Sequence, residues 1–165
     1  MAKDCYLEID GKRTKLTDEQ LKALGLYEEP KANPFERTQQ NQQFYYIDFV
    51  GKVEDVKYCN KNVSDKLLDV ANYCTDKSLM QQRALHETLN RLLWRFSMEN
   101  NGDKIRQYDR CYYIFYRKGN KSFGTTFDTN CLNEGTIYFY SEEIAQKAID
   151  DIVLPFMKYH PEFIW

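Results

Sequence analysis

A short helical segment contains the residue types of a zinc-protease motif but lacks its second histidine. His86 and Glu87 are followed by Asn90, at the position where the motif His-Glu-x-x-His places another imidazole. In that motif, two imidazoles one helical turn apart bind the same zinc ion, and the glutamate activates a bound water. Asparagine does not replace an imidazole, and His160 is the only other histidine. We therefore predict that no metal binds here and that His86 makes an ordinary side-chain hydrogen bond at the edge of a packed helix face.

Other signatures of catalysis are absent or weak. The sequence has no Gly-x-Ser-x-Gly motif, no P-loop and no dinucleotide-binding glycine motif. Acidic doublets occur at Glu54-Asp55, Glu142-Glu143 and Asp150-Asp151. Such doublets are usually cap charges or solvated, because adjacent helical residues point about 100° apart. The sequence favours a protein without catalytic residues or cofactor, and the alternative is a divalent-metal nuclease or other small hydrolase built from dispersed carboxylates.

The cysteines and the hydropathy pattern predict a cytoplasmic protein. Five cysteines occur without a Cys-x-x-Cys pair: Cys5, Cys59, Cys74, Cys111 and Cys131. An odd number without that spacing predicts free thiols in a reducing compartment. No apolar run approaches the roughly 20 residues that cross a bilayer, and the N-terminus lacks the apolar stretch of a signal peptide. We therefore expect no membrane contact.

The segment of residues 1–27 predicts a small β-hairpin followed by a short helix. Gly11 lies between two alternating segments, and glycine accepts the positive φ that a tight hairpin turn requires. Thr17 and Gln20 have the spacing of a capping box at a helix start. Residues 28–43 contain two prolines and many amides without an apolar period, which indicates a linker.

Two similar segments after the linker predict an internal repeat. The sequences FYYIDFVGKVEDVKY (residues 44–58) and CYYIFYRKGNKSFGTTF (residues 111–127) share Tyr-Tyr-Ile and turn through a glycine, which is typical of β-hairpins. A short apolar segment follows each hairpin, at residues 71–74 and 137–140, and predicts a third strand. Each half then continues into a helix.

The two predicted helices have caps and matching apolar faces. Thr75 or Asp76 caps the first helix, and Ser141 caps the second. Pro155 predicts a kink or stop near Leu154, because proline removes a backbone donor and clashes with the preceding turn. At an offset of 64 residues, the apolar residues of the two helices pair, which predicts that both helices present the same stripe. The pairs are Met80/Ile144, Ala84/Ala148, Leu85/Ile149, Leu89/Val153 and Leu92/Phe156.

These elements predict an α+β fold of antiparallel β-hairpins with two principal helices. The main domain spans residues 44–165 and consists of halves 44–102 and 103–165, arranged as two repeated ββ(β)α units. The alternative is that two hairpin-and-helix units resemble each other without a duplication. We also expect the apolar residues 163–165 to pack on the core rather than extend into water.

The first predicted helix carries large apolar residues on a second face. Measured from the main apolar spine at about 100° per residue, Met80, Trp94 and Met98 lie on the opposite side of the helix. Arg83 and Arg91 lie among them, and Trp and Arg often dominate the energy of protein interfaces. We predict that these five residues bind a partner. The alternative is that the rest of the chain covers both faces.

A basic and aromatic segment follows that helix. Residues 77–125 carry ten Lys/Arg against four Asp/Glu, although the net charge of the chain is −2. Aromatic residues interleave with these cations, and cations beside rings are typical of surfaces that bind phosphates and stack bases. The predicted nucleic-acid-binding residues are Lys104, Arg106, Arg110, Arg117, Lys118 and Lys121. The alternative is a simple hairpin whose charged edges discourage edge pairing.

Three segments resemble a group of small accessory proteins encoded by phages and integrative elements of Gram-positive gut bacteria. They are KANPFER, ANYCTDKSLMQQRALHETLNRLLWRFSMEN and IYFYSEEIAQKAIDDIVLPFMKYHPEFIW. The resemblance covers nearly the whole chain and implies a mobile-element protein without assigned catalytic residues. Some proteins of this size from such elements are anti-CRISPR inhibitors, which bind the effector nuclease or its guide RNA. The expected function is therefore non-catalytic inhibition of a host defence nucleoprotein in the bacterial cytoplasm, with contact to RNA or DNA.

Overall fold

Helices and antiparallel hairpins make up the described chain. The computed structural model describes residues 6–9, 11–25, 33–39, 42–57, 61–101, 110–129 and 133–165. The chain forms two compact units, Met1–Glu36 and Arg37–Trp165. The first contains β1 (Tyr6–Ile9), β2 (Lys12–Lys15) and α1 (Asp18–Ala23). The second contains β3 (Gln43–Ile47), β4 (Val53–Lys57), α2 (Lys61–Asp69), α3 (Lys77–Asn101), β5 (Cys111–Arg117), β6 (Ser122–Asp128), α4 (Glu142–Ala148), a π-helical turn (Ile149–Val153) and α5 (Leu154–Tyr159).

The predicted α+β class is confirmed, and the first unit forms as its sequence predicts. Strands β1 and β2 form an antiparallel pair, and Gly11 has a φ of 76° in the turn between them. The Thr17 hydroxyl accepts a hydrogen bond from the Gln20 amide at 3.3 Å. The Thr17 amide donates to the Gln20 side chain at 2.9 Å. This reciprocal pair is the capping box at the start of α1.

The two halves of the second unit repeat one arrangement of hairpin and backbone bridge. Strand β3 pairs with β4, and β5 pairs with β6, both in antiparallel. Tyr45 of β3 exchanges two backbone hydrogen bonds with Cys74, at N···O distances of 2.7 and 3.0 Å. Tyr112 of β5 does the same with Phe139, at 2.8 and 2.7 Å. Each predicted third strand is therefore reduced to one bridge, because the chain turns into a helix cap immediately afterwards.

A capped helix begins just after each bridge. The Asp76 carboxylate accepts hydrogen bonds from the amides of Ser78 at 2.8 Å and Leu79 at 3.1 Å, at the start of α3. The Ser141 hydroxyl accepts from the Ile144 amide at 3.3 Å, at the start of α4. Both predicted caps are confirmed. The shared order of hairpin, bridge, cap and helix agrees with the predicted repeat.

Helix α2 is not predicted by the sequence pattern. It is only nine residues long, its polar residues outnumber its apolar ones, and the buried position 64 is a serine, so the segment does not stand out as a core-facing helix. The chain leaves the helix through Ala71, which takes a φ of 55°. The Asn72 side chain then accepts from the Ile47 amide at 2.8 Å and donates to the Ile47 carbonyl at 2.7 Å. This contact ties the end of α2 to β3.

Helix α3 packs against different elements along its length. Its first turns place Met80 and Ala84 in a cluster with Ile47 and Cys74, beside hairpin β3–β4. Its later turns enter a second cluster with α4, the π turn, α5 and the last residues of the chain. All ten apolar residues that the sequence pairs between the two helices are buried or partly buried. The predicted packing faces are therefore confirmed.

The second long helix passes through Pro155 without stopping. Helix α4 continues into the π turn and then into α5, whose first turn contains Pro155. The Leu154 amide bonds to the Ile149 carbonyl, five residues earlier. This wider turn makes room for the proline ring, which would clash with a carbonyl four residues before it in an α-helix. The predicted kink or stop near Leu154 is therefore a change of helix type.

Phe163 and Trp165 pack on the second cluster as predicted, whereas Ile164, which was predicted to pack there too, is 69% exposed. Phe163 is 5% exposed, and the Trp165 ring lies 4.9 Å from the Phe123 ring, measured between centroids. The Gln82 side chain donates to the carbonyl of residue 162 at 2.7 Å and accepts from the amide of residue 164 at 2.9 Å. Among the helices that the structure describes, none is long and apolar enough to cross a membrane.

Candidate interaction surfaces

The His-Glu-x-x-Asn segment forms helix contacts and surface ion pairs. The ring centroid of His86 lies 4.7 Å from that of Phe163, and this ring contact replaces the predicted hydrogen bond. Glu87 accepts a hydrogen bond from Arg83 at 2.8 Å and has Arg91 at 4.0 Å. Within the described ranges, no three His, Cys, Asp or Glu side chains come together as metal ligands. The segment therefore has a packing role in this structure.

An open depression of about 500 Å³ lies along the acidic face of α4 and the π turn. Its lining residues are Glu142, Glu143, Gln146, Lys147, Asp150 and Asp151. All of them belong to one helical run, so the depression is a helix surface rather than a cleft between elements. The Ser141 hydroxyl, by its hydrogen bond, lowers the pKa of Glu143, as befits a carboxylate in the first turn of a helix. Nothing in this geometry assigns the acidic doublets a catalytic role.

The outer face of α3 exposes part of the predicted partner-binding set. Trp94 and Met98 are 61% and 57% exposed, and Arg91 is exposed beside them. Met80 is 1% exposed, which removes it from this face as a correction to the prediction. Met80 and Met98 share a direction on the helix, but they lie about 27 Å apart along its axis. Residues of hairpin β3–β4 pack on the helix at Met80 and Ala84, which buries that end of the face.

The turn between β3 and β4 adds two apolar residues that the sequence pattern does not single out. Phe49 is 94% exposed and Val50 is 67% exposed. The next residue, Gly51, has a φ of 92°, and a Cβ atom built there would lie 3.0 Å from Arg91 Nη2. The turn therefore touches the outer face of α3. We call Phe49, Val50, Arg91, Trp94 and Met98 the helix–turn surface. The sequence signal that points to Phe49 and Val50 is the presence of two consecutive apolar residues in a predicted turn.

The arginines of this face differ in their freedom. Arg83 donates to the carbonyl of Ala71 as well as to Glu87, so it anchors α3 to the end of α2. Arg91 donates from Nε to the Glu87 backbone carbonyl at 3.2 Å, and its Nη2 approaches the Glu87 carboxylate only at 4.0 Å. Arg95, which the sequence prediction does not include, is exposed and makes no polar contact within the described ranges. Arg91 and Arg95 are therefore the cations that this face offers to a partner.

The predicted nucleic-acid-binding residues fall into separate groups. Arg117, Lys118 and Lys121 are exposed at the tip of hairpin β5–β6. Arg110 lies at the opposite end of β5, about 20 Å away for a strand of this length. Its guanidinium carbon lies 4.9 Å from the centroid of the Phe127 ring. Lys104 and Arg106 lie outside the described residues. The structure thus brings together three of the six predicted cations.

Most aromatic rings of this segment already have partners inside the protein. Tyr112 and Phe123 pack against the second core cluster. The Tyr113 ring contacts Tyr138, with centroids 5.9 Å apart. On the same face of the hairpin as Tyr113, the Phe115 ring lies under the Arg117 guanidinium, whose carbon is 5.0 Å from the ring centroid. These rings offer few platforms for base stacking, so the geometry supports phosphate contact at the hairpin tip more than it supports reading of bases.

The chain shows no significant match to known protein-family models, curated proteins or solved structures. Two surfaces of the molecule are distinct in character: the apolar helix–turn surface with Arg91, and the basic tip of hairpin β5–β6.

Proposed function

We propose that this chain is a non-catalytic binding protein of a mobile genetic element, and that it inhibits a host defence nucleoprotein. The observation that carries the binding role is the helix–turn surface. Phe49, Val50, Trp94 and Met98 are each more than half exposed, and Arg91 lies beside them. Neighbouring large apolar side chains in water mark interaction sites. Trp, Arg, Met and aromatic residues are also the types enriched in interface cores.

The proposed target is a CRISPR effector nuclease with its guide RNA. The assignment to this class rests on the resemblance to phage and integrative-element proteins. The exposed cations add physical support, because Arg91 and Arg95 flank the apolar surface while Arg117, Lys118 and Lys121 crowd the hairpin tip. Cations of this kind bind the phosphates of RNA or DNA without reading sequence. A nucleoprotein offers a partner for both the apolar and the basic surfaces.

The test replaces one exposed side chain at the centre of the helix–turn surface. Purified CRISPR effectors, with and without guide RNA, are titrated with the wild-type chain and with Trp94→Ala. We expect the wild type to bind and to block target cleavage, and the variant to bind at least about tenfold more weakly, as truncated interface tryptophans do. Because Trp94 is 61% exposed, the variant should unfold within about 0.5 kcal/mol of the wild type.

A control variant removes an exposed aromatic ring from a different helix. Tyr159 on α5 is 86% exposed, and Tyr159→Ala should bind like the wild type. If Trp94→Ala binds as tightly as the wild type, the helix–turn surface is not the interface. If instead the purified chain cleaves DNA or RNA by itself, and a chelator of divalent metals stops that cleavage, the nuclease alternative replaces the binding function.

A further inference from the structure

The outer edge of β6 has a defined set of outward-pointing backbone groups. Tyr112 of β5 directs both its amide and its carbonyl to Phe139, away from β6. Residues opposite each other in an antiparallel pair alternate between bonding across the pair and pointing away from it. Tyr112 is opposite Phe127, so Phe127 points its backbone groups away from β5. By the same alternation, Phe123 and Thr125 also point theirs toward the outer edge.

This edge is open and lacks the usual protection against pairing. Within the described part of the chain, no backbone group pairs with the outer side of β6. The strand SFGTTFD has no proline, and its only charge is the terminal Asp128. Edge strands are normally protected by charged residues, prolines or bulges. The charged-edge alternative therefore fails for β6, because the cations of this hairpin lie at its ends.

The equivalent edge in the first half is protected. Tyr45 points its backbone to Cys74, so Asp55 opposite it points outward on β4. Strand β4 has the sequence VEDVK, with three charged residues in five. The Asp55 carboxylate also accepts a hydrogen bond from the Gln43 side chain at 2.8 Å. The two halves thus share a plan but differ in whether the sheet can be extended.

We propose that the outer edge of β6 pairs in antiparallel with β6 of a second copy of this chain. A twofold axis at Thr125 places Phe123 opposite Phe127 of the second copy, and Thr125 opposite its own equivalent. By symmetry, Phe127 also lies opposite Phe123 of the second copy, which makes three pairs. In each pair both residues point their backbone groups outward, so each pair exchanges two backbone hydrogen bonds. The result is a four-stranded sheet with the order β5, β6, β6 and β5.

Side chains around the axis complement each other in this register. Phe123 and Phe127 come from opposite copies on the same face of the sheet, and cross-strand aromatic pairs stabilise antiparallel sheets. Ser122 lies opposite Asp128 of the second copy, so no like charges face each other at either end of the paired strands. Because the Phe123–Phe127 pair forms twice in this register, once on each side of the axis, a second copy of the chain suits this edge better than an unrelated strand.

One contact opposes the pairing and limits its strength. The Thr125 hydroxyl donates to the Glu142 carboxylate at 3.2 Å, so the two copies bring two carboxylates toward the axis. The interface is also a single strand wide, which places its area at the low end for specific contacts. We therefore expect a reversible dimer with a dissociation constant on the order of 10–100 μM. This dimer is independent of the proposed nucleoprotein binding.

The test compares two substitutions at the axis in the purified full chain. Thr125→Pro removes the outward amide, and proline is tolerated at an edge whose amide faces solvent. Thr125→Val removes the hydroxyl but keeps the amide. Sedimentation from low to about 200 μM protein should show a dimer for the wild type and for Thr125→Val. Thr125→Pro should raise the dissociation constant at least about tenfold.

Hydrogen exchange on the wild type gives a readout that needs no variant. The amides of Phe123, Thr125 and Phe127 should become protected as concentration rises, while those of Gly124 and Thr126 are protected at all concentrations by β5. The proposal fails if the wild type stays monomeric throughout, or if Thr125→Pro dimerises as strongly as the wild type. It also fails if Thr125→Val loses the dimer equally, or if the three amides show no concentration dependence.

Discussion

The Asp76 side chain makes the stability of the start of α3 depend on pH. Its carboxylate accepts hydrogen bonds from the Leu79 amide and from the Ser78 amide and hydroxyl, and these bonds lower the pKa of Asp76. The ionised carboxylate is therefore favoured by folding. The stability that it contributes is fully present above the ordinary pKa near 3.8 and is lost as pH falls through the lowered value.

We predict that Asp76→Asn keeps the helix cap but removes this pH dependence. Asparagine caps helices about as well as aspartate and does not titrate. The variant should therefore unfold near the wild-type temperature at pH 7, and it should lose less stability than the wild type between pH 4 and pH 2. Thermal unfolding followed by circular dichroism measures both. Asp76→Ala, which has no cap, should be less stable at every pH. Equal acid losses in wild type and Asp76→Asn would contradict the prediction.

At the scale of single residues, the sequence predicts the helix caps, but it does not predict which side chains the rest of the fold buries. The caps at Asp76 and Ser141 follow from sequence, because a cap depends on residues within one turn. Met80 was placed on the outer face because its helical direction matches that of Met98. A helical projection contains no information about which neighbouring hairpin covers which turn. Phe49 was missed for the converse reason, since its exposure depends on where the hairpin turn meets α3.

At the scale of elements, hairpin β5–β6 depends on a glycine that leaves room for a ring. A Cβ atom at Gly124 would lie 2.8 Å from Phe115 Cζ, closer than any ordinary carbon contact. Phe115 is directly opposite Gly124 in the strand register, and Arg117 in turn lies over the Phe115 ring. Because Gly124 has no side chain, the Phe115 ring can lie against it, and Arg117 can then lie over that ring.

We predict that Gly124→Ala destabilises the chain by about 1–3 kcal/mol, as overpacked positions do. Gly119 in the turn of the same hairpin has nothing within 4 Å of a built Cβ, so Gly119→Ala is the matched control and should be close to neutral. Urea unfolding of both variants measures the difference. A neutral Gly124→Ala would show that the Phe115 ring moves aside without loss.

The hairpins and long helices could be predicted, while the extent of strand pairing could not. Apolar alternation and glycine turns depend on neighbouring residues, so they appear in the sequence. Whether residues 71–74 form a strand or a single bridge depends on how soon the Asp76 cap redirects the chain. Helix α2 is not predicted because the segment is short and mostly polar, and one of its buried residues is a serine.

At the scale of the whole molecule, charge is concentrated on particular surfaces. The chain carries a net −2, yet Arg117, Lys118 and Lys121 are exposed together at one hairpin tip. Acidic residues line the face of α4 and the π turn. Net charge alone therefore hides a basic tip that can approach phosphate groups.

We predict that Arg117→Glu with Lys118→Glu weakens nucleoprotein binding and flattens its salt dependence. Each lost phosphate contact lowers the slope of log affinity against log salt by about 0.9 for duplex DNA. The control, Lys147→Glu with Lys158→Glu, makes the same change in net charge on exposed helix positions and should keep the wild-type slope. Titrations at several salt concentrations distinguish them. Equal effects of both pairs would indicate a general field rather than phosphate contact at the tip.

The charged residues of β4 have a consequence for the size of any assembly. Glu54, Asp55 and Lys57 make that edge unsuitable for pairing, while β6 is open. In the proposed dimer, the twofold contact uses the outer edge of β6 in both copies, so this contact closes at two copies. Two open edges would present a new edge with each added copy, and a fibre would grow without limit. The difference between the two hairpins therefore separates a finite complex from an aggregate.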